Sequence, residues 1–273
     1  MLDHLKKDKV ALVSAIAIAA MVIIAVFAPV FSPYDPLRID LDALKLPPSW
    51  HHWMGTDNKG RDVLSRVIFG ARVSLLVGVA ASSVSMAIGV AVGVAGGYMG
   101  GKVDAGLTAL TDMVMAFPSL LLAIGITVVL PPGLLTVMLA LSVVGWASFA
   151  RLARGMVLSL KEQPFVEAAR ASGCGTSRIL LRHILPNCLP LMIIAGTLKI
   201  GSFILTESAL SFLGLGAQPP TPTWGSMVSL SRHYILSSPW TVVFPGMAIS
   251  AAVLSFNILG DSLRDWLDPK MRV

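Results

Sequence analysis

Long apolar runs, broken by short charged segments, organise this chain from one end to the other. Asp, Glu, Lys and Arg are absent over 10–34, 73–101, 113–150 and 233–260, and about 20 apolar residues suffice for one helical crossing of a bilayer. The run 113–150 is long enough for two crossings. Pro131-Pro132-Gly133 divides it, because proline removes a backbone donor and glycine favours a turn. A further crossing over 190–213 carries Lys199 and Glu207 in an otherwise largely apolar sequence. Lipid cannot satisfy backbone N–H and C=O groups, and these runs lack the alternation of a barrel strand, so helices are the expected form. The pattern predicts an all-α membrane protein with six transmembrane helices, over 10–30, 75–97, 112–130, 134–150, 190–213 and 241–260, in a single transmembrane domain covering 1–273. A cytoplasmic loop spans 151–189.

Composition excludes a soluble domain. With 55% hydrophobic and 13% charged residues and a mean hydropathy of +0.77, the chain lacks the polar groups to cover a water-facing surface. Six crossings put both termini on one side. With the termini cytoplasmic, 13 of the 21 basic residues lie inside, seven outside and Lys199 within a span, so the positive-inside bias predicts cytoplasmic termini. Six of the seven outer ones crowd into 31–73. The first run follows Lys6, Lys7 and Lys9 but exceeds a signal core in length and is expected to remain as an anchor. The net charge of +6 borders membrane spans rather than a basic soluble module, which points to topology and membrane lipid, not nucleic acid. Cys174 and Cys188 fall on the reducing side and are expected to stay free.

Several local patterns call for chemistry and are weighed on their surroundings. Gly96 to Lys102 fits the start of a phosphate-binding loop, but Val103 lacks the hydroxyl that would ligate magnesium and the segment ends a membrane helix. The segment therefore reads as a glycine-rich helix exit followed by a topogenic lysine, not as a nucleotide site. Ala81, Ser85, Gly89, Gly93 and Gly97 recur every fourth residue, which predicts close approach by another helix. Segment 55–72 reads as a turn capped by Thr56 or Asp57, followed by a short interfacial helix with Val63, Leu64, Val67 and Ile68 on its apolar side and Arg61, Arg66 and Arg72 on its polar side. His51 and His52 are adjacent without further ligands in the pattern, so no metal site is expected. Among the charges in spans, Asp112 is placed at an inner edge and Glu207 is the candidate for the translocation pathway. Lys199 and Glu207, about 12 Å apart along a helix, do not pair directly.

The loop 151–189 has a design of its own. Pro164 can start a short helix, Ala168, Ala169 and Ala171 keep its face slim, and Gly173 permits a sharp turn into the segment that ends at Leu185-Pro186. Such a helix can enter a groove on another protein, with Glu167 available to pair there and Arg170, Arg178 and Arg182 available for acidic sites or headgroups.

Four patterns then occur in order: Gly55-Thr56-Asp57-Asn58-Lys59-Gly60-Arg61-Asp62, Glu167-Ala168-Ala169-Arg170-Ala171-Ser172-Gly173 with Ile184-Leu185-Pro186, Ser211-Phe212-Leu213-Gly214-Leu215-Gly216, and Gly260-Asp261-Ser262-Leu263-Arg264-Asp265-Trp266-Leu267-Asp268-Pro269. Together they resemble the membrane-spanning subunits of ATP-driven ABC importers, in the dipeptide, oligopeptide and nickel branch. The resemblance covers nearly the whole chain and departs at His183, where the family often has isoleucine. It implies a permease of the bacterial cytoplasmic membrane that pairs with a second homologous permease, two ATP-binding subunits and an extracytoplasmic substrate-binding protein. It further implies that Glu167, Ala168, Ala169, Gly173, Leu185 and Pro186 couple to the ATPase, that ATP and magnesium sit on the partner subunits, and that this chain binds no cofactor. The cargo implied is a dipeptide or short peptide, with nickel or a nickel chelate as the alternative.

Two other classes fit less well. An intramembrane protease would need a serine and a histidine base inside the spans, and Ala171-Ser172-Gly173 lies in the basic loop instead. A self-sufficient carrier would be expected to show an inverted repeat with broken spans in matching positions.

Overall fold

The computed structural model describes residues 9–267. Lys6, Lys7, Lys270, Arg272 and the Asp268-Pro269 end of the fourth pattern lie outside them. The described chain is built from helices: α1 (Lys9–Val26), α2 (Val63–Met99), α3 (Gly101–Met115), α4 (Ser119–Val129), α5 (Leu134–Leu160), α6 (Pro164–Ala171), α7 (Leu185–Phe212), α8 (Trp224–Ser231) and α9 (Trp240–Leu267), with shorter turns between them. Five helical segments are long and apolar enough to cross a membrane, and the bent pair α3–α4 makes a sixth if counted as one span.

That pair corrects the expected straight span over 112–130. The chain turns by 86° between α3 and α4, at Ala116-Phe117-Pro118, and α4 is only 11 residues long. Pro118 cannot donate an amide into a continuing helix, so an apolar run that satisfies a hydropathy count is broken by one backbone group. A second correction concerns 55–72. Its helical part is the beginning of α2, whose 37 residues reach about 55 Å, well beyond a hydrocarbon core of about 30 Å. Asp62, not Thr56 or Asp57, caps this helix by accepting from the Ser65 amide at 2.8 Å. Arg61 and Arg66 are buried rather than on a solvated face.

The small-residue stripe on α2 is a helix contact. A Cβ on Gly89 would stand 2.5 Å from the Trp146 carbonyl oxygen and one on Gly93 2.3 Å from that of Ala150, so α5 lies directly against the α2 backbone. Above this seam, Val77, Ala81, Ala123, Val137, Leu141, Phe203 and Leu210 join α2, α4, α5 and α7 in one core. Leu75, Ile204, Trp224, Ala252 and Phe256 tie α2 and α7 to α8 and α9. Helix α1, by contrast, is apolar around its circumference and mostly exposed, as a lipid-facing helix requires.

The bundle has two dissimilar poles. At the start of α2 and the end of α7, residues 32–62 and the chain around α8 form a lobe. At the opposite pole, α6 projects as an arm between α5 and α7. Helix α5 reaches this pole because it continues to Leu160, ten residues past the expected end of its span. Arg151 and Arg154 ride on it, pairing with Asp112 (2.6 Å) and with Asp104 of α3 (2.7 Å). These charges mark where the lipid-compatible sequence stops, not where the helix does.

Candidate functional site

The arm is set by local chemistry at both of its ends. Pro164 opens α6, where its missing N–H removes no intrahelical bond, and the Gln163 carbonyl accepts from Val166 (2.9 Å) and Glu167 (3.2 Å). Glu167 in the first turn and Arg170 in the last complement the helix dipole. At the far end the Cys174 amide donates to the Ala169 carbonyl (3.1 Å) and the Gly173 amide to that of Arg170 (3.0 Å), the paired bonds of a Schellman turn. Gly173 has φ +78°, a conformation in which a side chain is strained.

One face of α6 is welded to the bundle and the other is open. Val166, with no solvent exposure, joins Val157 of α5 and Ile179, Ile184 and Cys188 in an apolar cluster at this pole. Ala169 packs on the same cluster, which departs from its expected place beside Ala168 and Ala171 on the slim outer face. Glu167, Ala168 and Ala171 are exposed. Among the described residues neither Glu167 nor Arg170 has an ion-pair partner.

The return into α7 explains Leu185-Pro186. Residues Leu180–Ile184 form a wide π-turn immediately before them. The Leu185 amide reaches back to the Leu180 carbonyl, and Pro186 sits exposed in the first turn of α7. A proline there lacks its own N–H and its ring crowds the carbonyl four residues earlier, and the widened turn makes room for both. His183, the departure from the resemblance, is half-buried with its ring 6.5 Å from that of Phe165 on α6. It therefore adds a contact between the arm and the turn. Cys188 is buried in the cluster and Cys174 half-buried beside it, both as free thiols.

Glu207 stands elsewhere, near the lobe end of α7. Its carboxylate accepts from Ser211 Oγ at 2.6 Å, Ser74 Oγ at 3.2 Å and Ser208 Oγ at 3.5 Å, and the residue is 0% exposed. The structure encloses this carboxylate between α2 and α7 instead of turning it toward a lumen. Ser211 opens the pattern Ser211 to Gly216, which ends α7 in a second Schellman turn. Leu215 donates to the Leu210 carbonyl (2.9 Å) and Gly214 to that of Ser211 (3.1 Å), with Gly214 at φ +81°.

The lobe itself is organised by ions that the sequence suggested were solvated. Asp57 accepts from the Lys59 amide (2.8 Å), the Arg61 amide (3.0 Å) and Arg61 Nε (2.7 Å), while Arg66 places Nε 3.6 Å from it and donates through Nη1 to the Pro36 carbonyl (3.0 Å). Asp62 binds Ser65 and, at 2.9 Å, His52 Nδ1. His52 also stacks near Tyr34, with centroids 4.8 Å apart. Nothing in the spacing of these residues revealed their burial. The acidic partner of each arginine was nonetheless visible within the same eight-residue pattern.

A family model described as "binding-protein-dependent transport system inner membrane component" matches residues 86–273. A second, described as the N-terminal transmembrane domain of oligopeptide transport permease C, matches 1–48. The dipeptide transport system permease protein DppC of Alkalihalophilus pseudofirmus is 45% identical over 98% of this chain and 88% of its own length. The glutathione transport system permease protein GsiD of Shigella flexneri is 46% identical over the same shares. Among solved structures, a chain of the MetNI methionine ABC transporter in an inward-facing conformation superposes with a TM-score of 0.61 at 19% identity. It covers 74% of this chain and 97% of the other, a likeness that shows the fold.

Proposed function

This chain belongs to the family of binding-protein-dependent transport inner-membrane components, and we propose that it is the permease subunit through which an ATP-driven importer moves dipeptides or short peptides into the cell. The observation that carries the mechanism is the arm: a short helix welded to α5 and α7 on one side and bare on the other. ATP and magnesium are held by two partner ATPase subunits, and a second homologous permease completes the path. A binding protein delivers cargo to the lobe, which lies outside the cytoplasmic membrane, while both termini and the arm lie inside.

The chain's own contribution is a path and a lever. Closure of the ATPases displaces α6, with Glu167, Ala168 and Ala171 in their groove and Gly173 holding the turn that fixes the helix's angle. Val166 and Ala169 pass that displacement to α5 through Val157 and to α7 through Ile184. Leu185-Pro186 and the wide turn before them connect the push to the base of α7. Because α5 lies against the α2 backbone at Gly89 and Gly93, these helices move together. The named cargoes of the two relatives, a dipeptide and glutathione, favour peptide over nickel.

Vesicles containing both permeases and the ATPases should accumulate a labelled dipeptide only with ATP and loaded binding protein. Nickel accumulation without peptide accumulation would move the assignment to the metal. For orientation, a cysteine at the exposed Ser49 should react with a membrane-impermeant thiol reagent in intact cells. A cysteine at Ser177 should not, and the reverse result sinks the topology.

A further inference from the structure

Lys199 stands at the middle of α7, about 21 Å of helix rise from Leu185 and about 20 Å from Phe212. A lysine at a helix end can extend its ammonium to the interface, but here either end lies well beyond the reach of the side chain. A charge placed so deep in a span is costly and calls for a partner or a polar cavity. Among the described residues no carboxylate lies within ion-pair distance of Lys199. Its ammonium lies 5.5 Å from the centroid of the Phe203 ring.

The side chain opens instead onto a cavity of about 250 Å³ between α7, α5 and the bend that joins α3 to α4. Ser148, Ser202 and Thr206 contribute hydroxyls to its wall, Phe117 and Phe203 contribute ring surface, and among the described residues no acidic one lines it. A cation surrounded by hydroxyl groups and aromatic surface, with no anion of its own, is complementary to a small organic anion that carries an apolar side chain. The contrast with Glu207, eight residues on, is chemical: that carboxylate has three hydroxyl donors inside the packing.

We infer that Lys199 is a way station for cargo, its ammonium receiving the carboxylate of a peptide as it passes the centre of the membrane. This rests on the peptide-importer assignment above, since a peptide with a free C-terminus brings the missing anion. Ser202, three residues further along α7, is placed to donate its hydroxyl to the same carboxylate, whereas Thr206 Oγ1 already donates to the Ser202 carbonyl (2.9 Å). A single unpaired ammonium, rather than a closed ion-binding cage, holds the carboxylate without trapping it.

The test uses the assembled transporter, with binding protein, partner permease and ATPases, and compares wild type with Lys199→Met, Lys199→Gln and Lys199→Arg. Readouts are membrane abundance, ATP hydrolysis stimulated by loaded binding protein, and labelled dipeptide moved per ATP. Lys199→Met and Lys199→Gln should keep abundance and stimulated hydrolysis while peptide moved per ATP falls about tenfold or more, the scale of losing a hydrogen bond to a charged group. Lys199→Arg should retain transport within about twofold, because the charge remains. Wild-type transport per ATP by Lys199→Met overturns the inference while leaving the importer assignment intact. Loss of both neutral variants from the membrane assigns Lys199 to folding and overturns it as well. If the wild type itself moves no peptide, the importer assignment falls and the inference with it.

Discussion

The lobe and the arm lie at opposite ends of the same helices and use polar residues in opposite ways. In the lobe, Asp57, Arg61 and Arg66 are buried against one another and against backbone amides and carbonyls, and Glu207 beneath them is closed off by three serines. In the arm, Glu167 and Arg170 stand in the open, and apolar Val166 is what holds the helix down. The first arrangement satisfies its charges within one chain and gives a shape. The second leaves them without an ion-pair partner among the described residues, and the shape is supplied by a turn at each end.

Breaking the lobe should cost most. Asp57→Ala leaves Arg61 and Arg66 buried without their carboxylate, a defect of about 3–5 kcal/mol in comparable buried pairs. The variant should lose membrane abundance and unfold at lower temperature in detergent. Full abundance and an unshifted melting temperature would show that the lobe is held by its backbone turns and not by its charges.

Next comes the carboxylate between α2 and α7. Glu207→Ala deprives Ser74, Ser208 and Ser211 of their shared acceptor and opens a void, an expected loss of about 2–3 kcal/mol. Glu207→Gln, which keeps an acceptor oxygen, should lose about half of that or less. Thermal unfolding of the two purified variants decides this, and equal losses would mean that the negative charge rather than hydrogen bonding holds the helices.

The two regions also differ in how far the sequence disclosed them. The apolar runs announced the bundle, and the small residues from Ala81 to Gly97 announced the α2–α5 seam, because helical spacing and side-chain size are local properties. Gly173 and Gly214 likewise mark turns that only a residue without a Cβ adopts freely. Burial of Arg66 could not be read, since it depends on Pro36 and Asp57 being folded over the start of α2. The inward direction of Ala169 was hidden for a related reason: an alanine gives no sign of which helix face will meet Val157. The bend at Phe117-Pro118 was legible in principle from the proline, but the hydrophobicity around it masked the signal.

A matched pair of glycines separates the arm from the lobe by experiment. Gly173 and Gly214 close equivalent Schellman turns, and an added Cβ meets nothing within 4 Å at either. Valine at each therefore carries a similar backbone strain of about 1–2 kcal/mol without a clash. Gly173→Val should uncouple ATP hydrolysis from uptake at near-normal abundance, whereas Gly214→Val should leave coupling intact and alter only stability. Identical effects of the two on the ratio of peptide moved to ATP hydrolysed would remove the arm's special status.

The smallest effect on stability is expected where the arm is most exposed. Glu167→Ala and Ala168→Arg remove or add charge on the open face of α6, where neither residue belongs to the cluster around Val166. An exposed ion pair contributes about 0–1 kcal/mol, so Glu167→Ala should melt within about 1 kcal/mol of wild type and lower ATPase association only modestly. Ala168→Arg should be equally stable, yet its bulk and charge oppose entry of α6 into the ATPase groove proposed above, and binding of the ATPase subunits should fall much further. That separation, in which stability is untouched while association is lost, is what a surface made for another protein predicts. Co-purification of the ATPases with each variant measures it directly. Wild-type recovery of the ATPases by Ala168→Arg would place the contact on some other part of the chain.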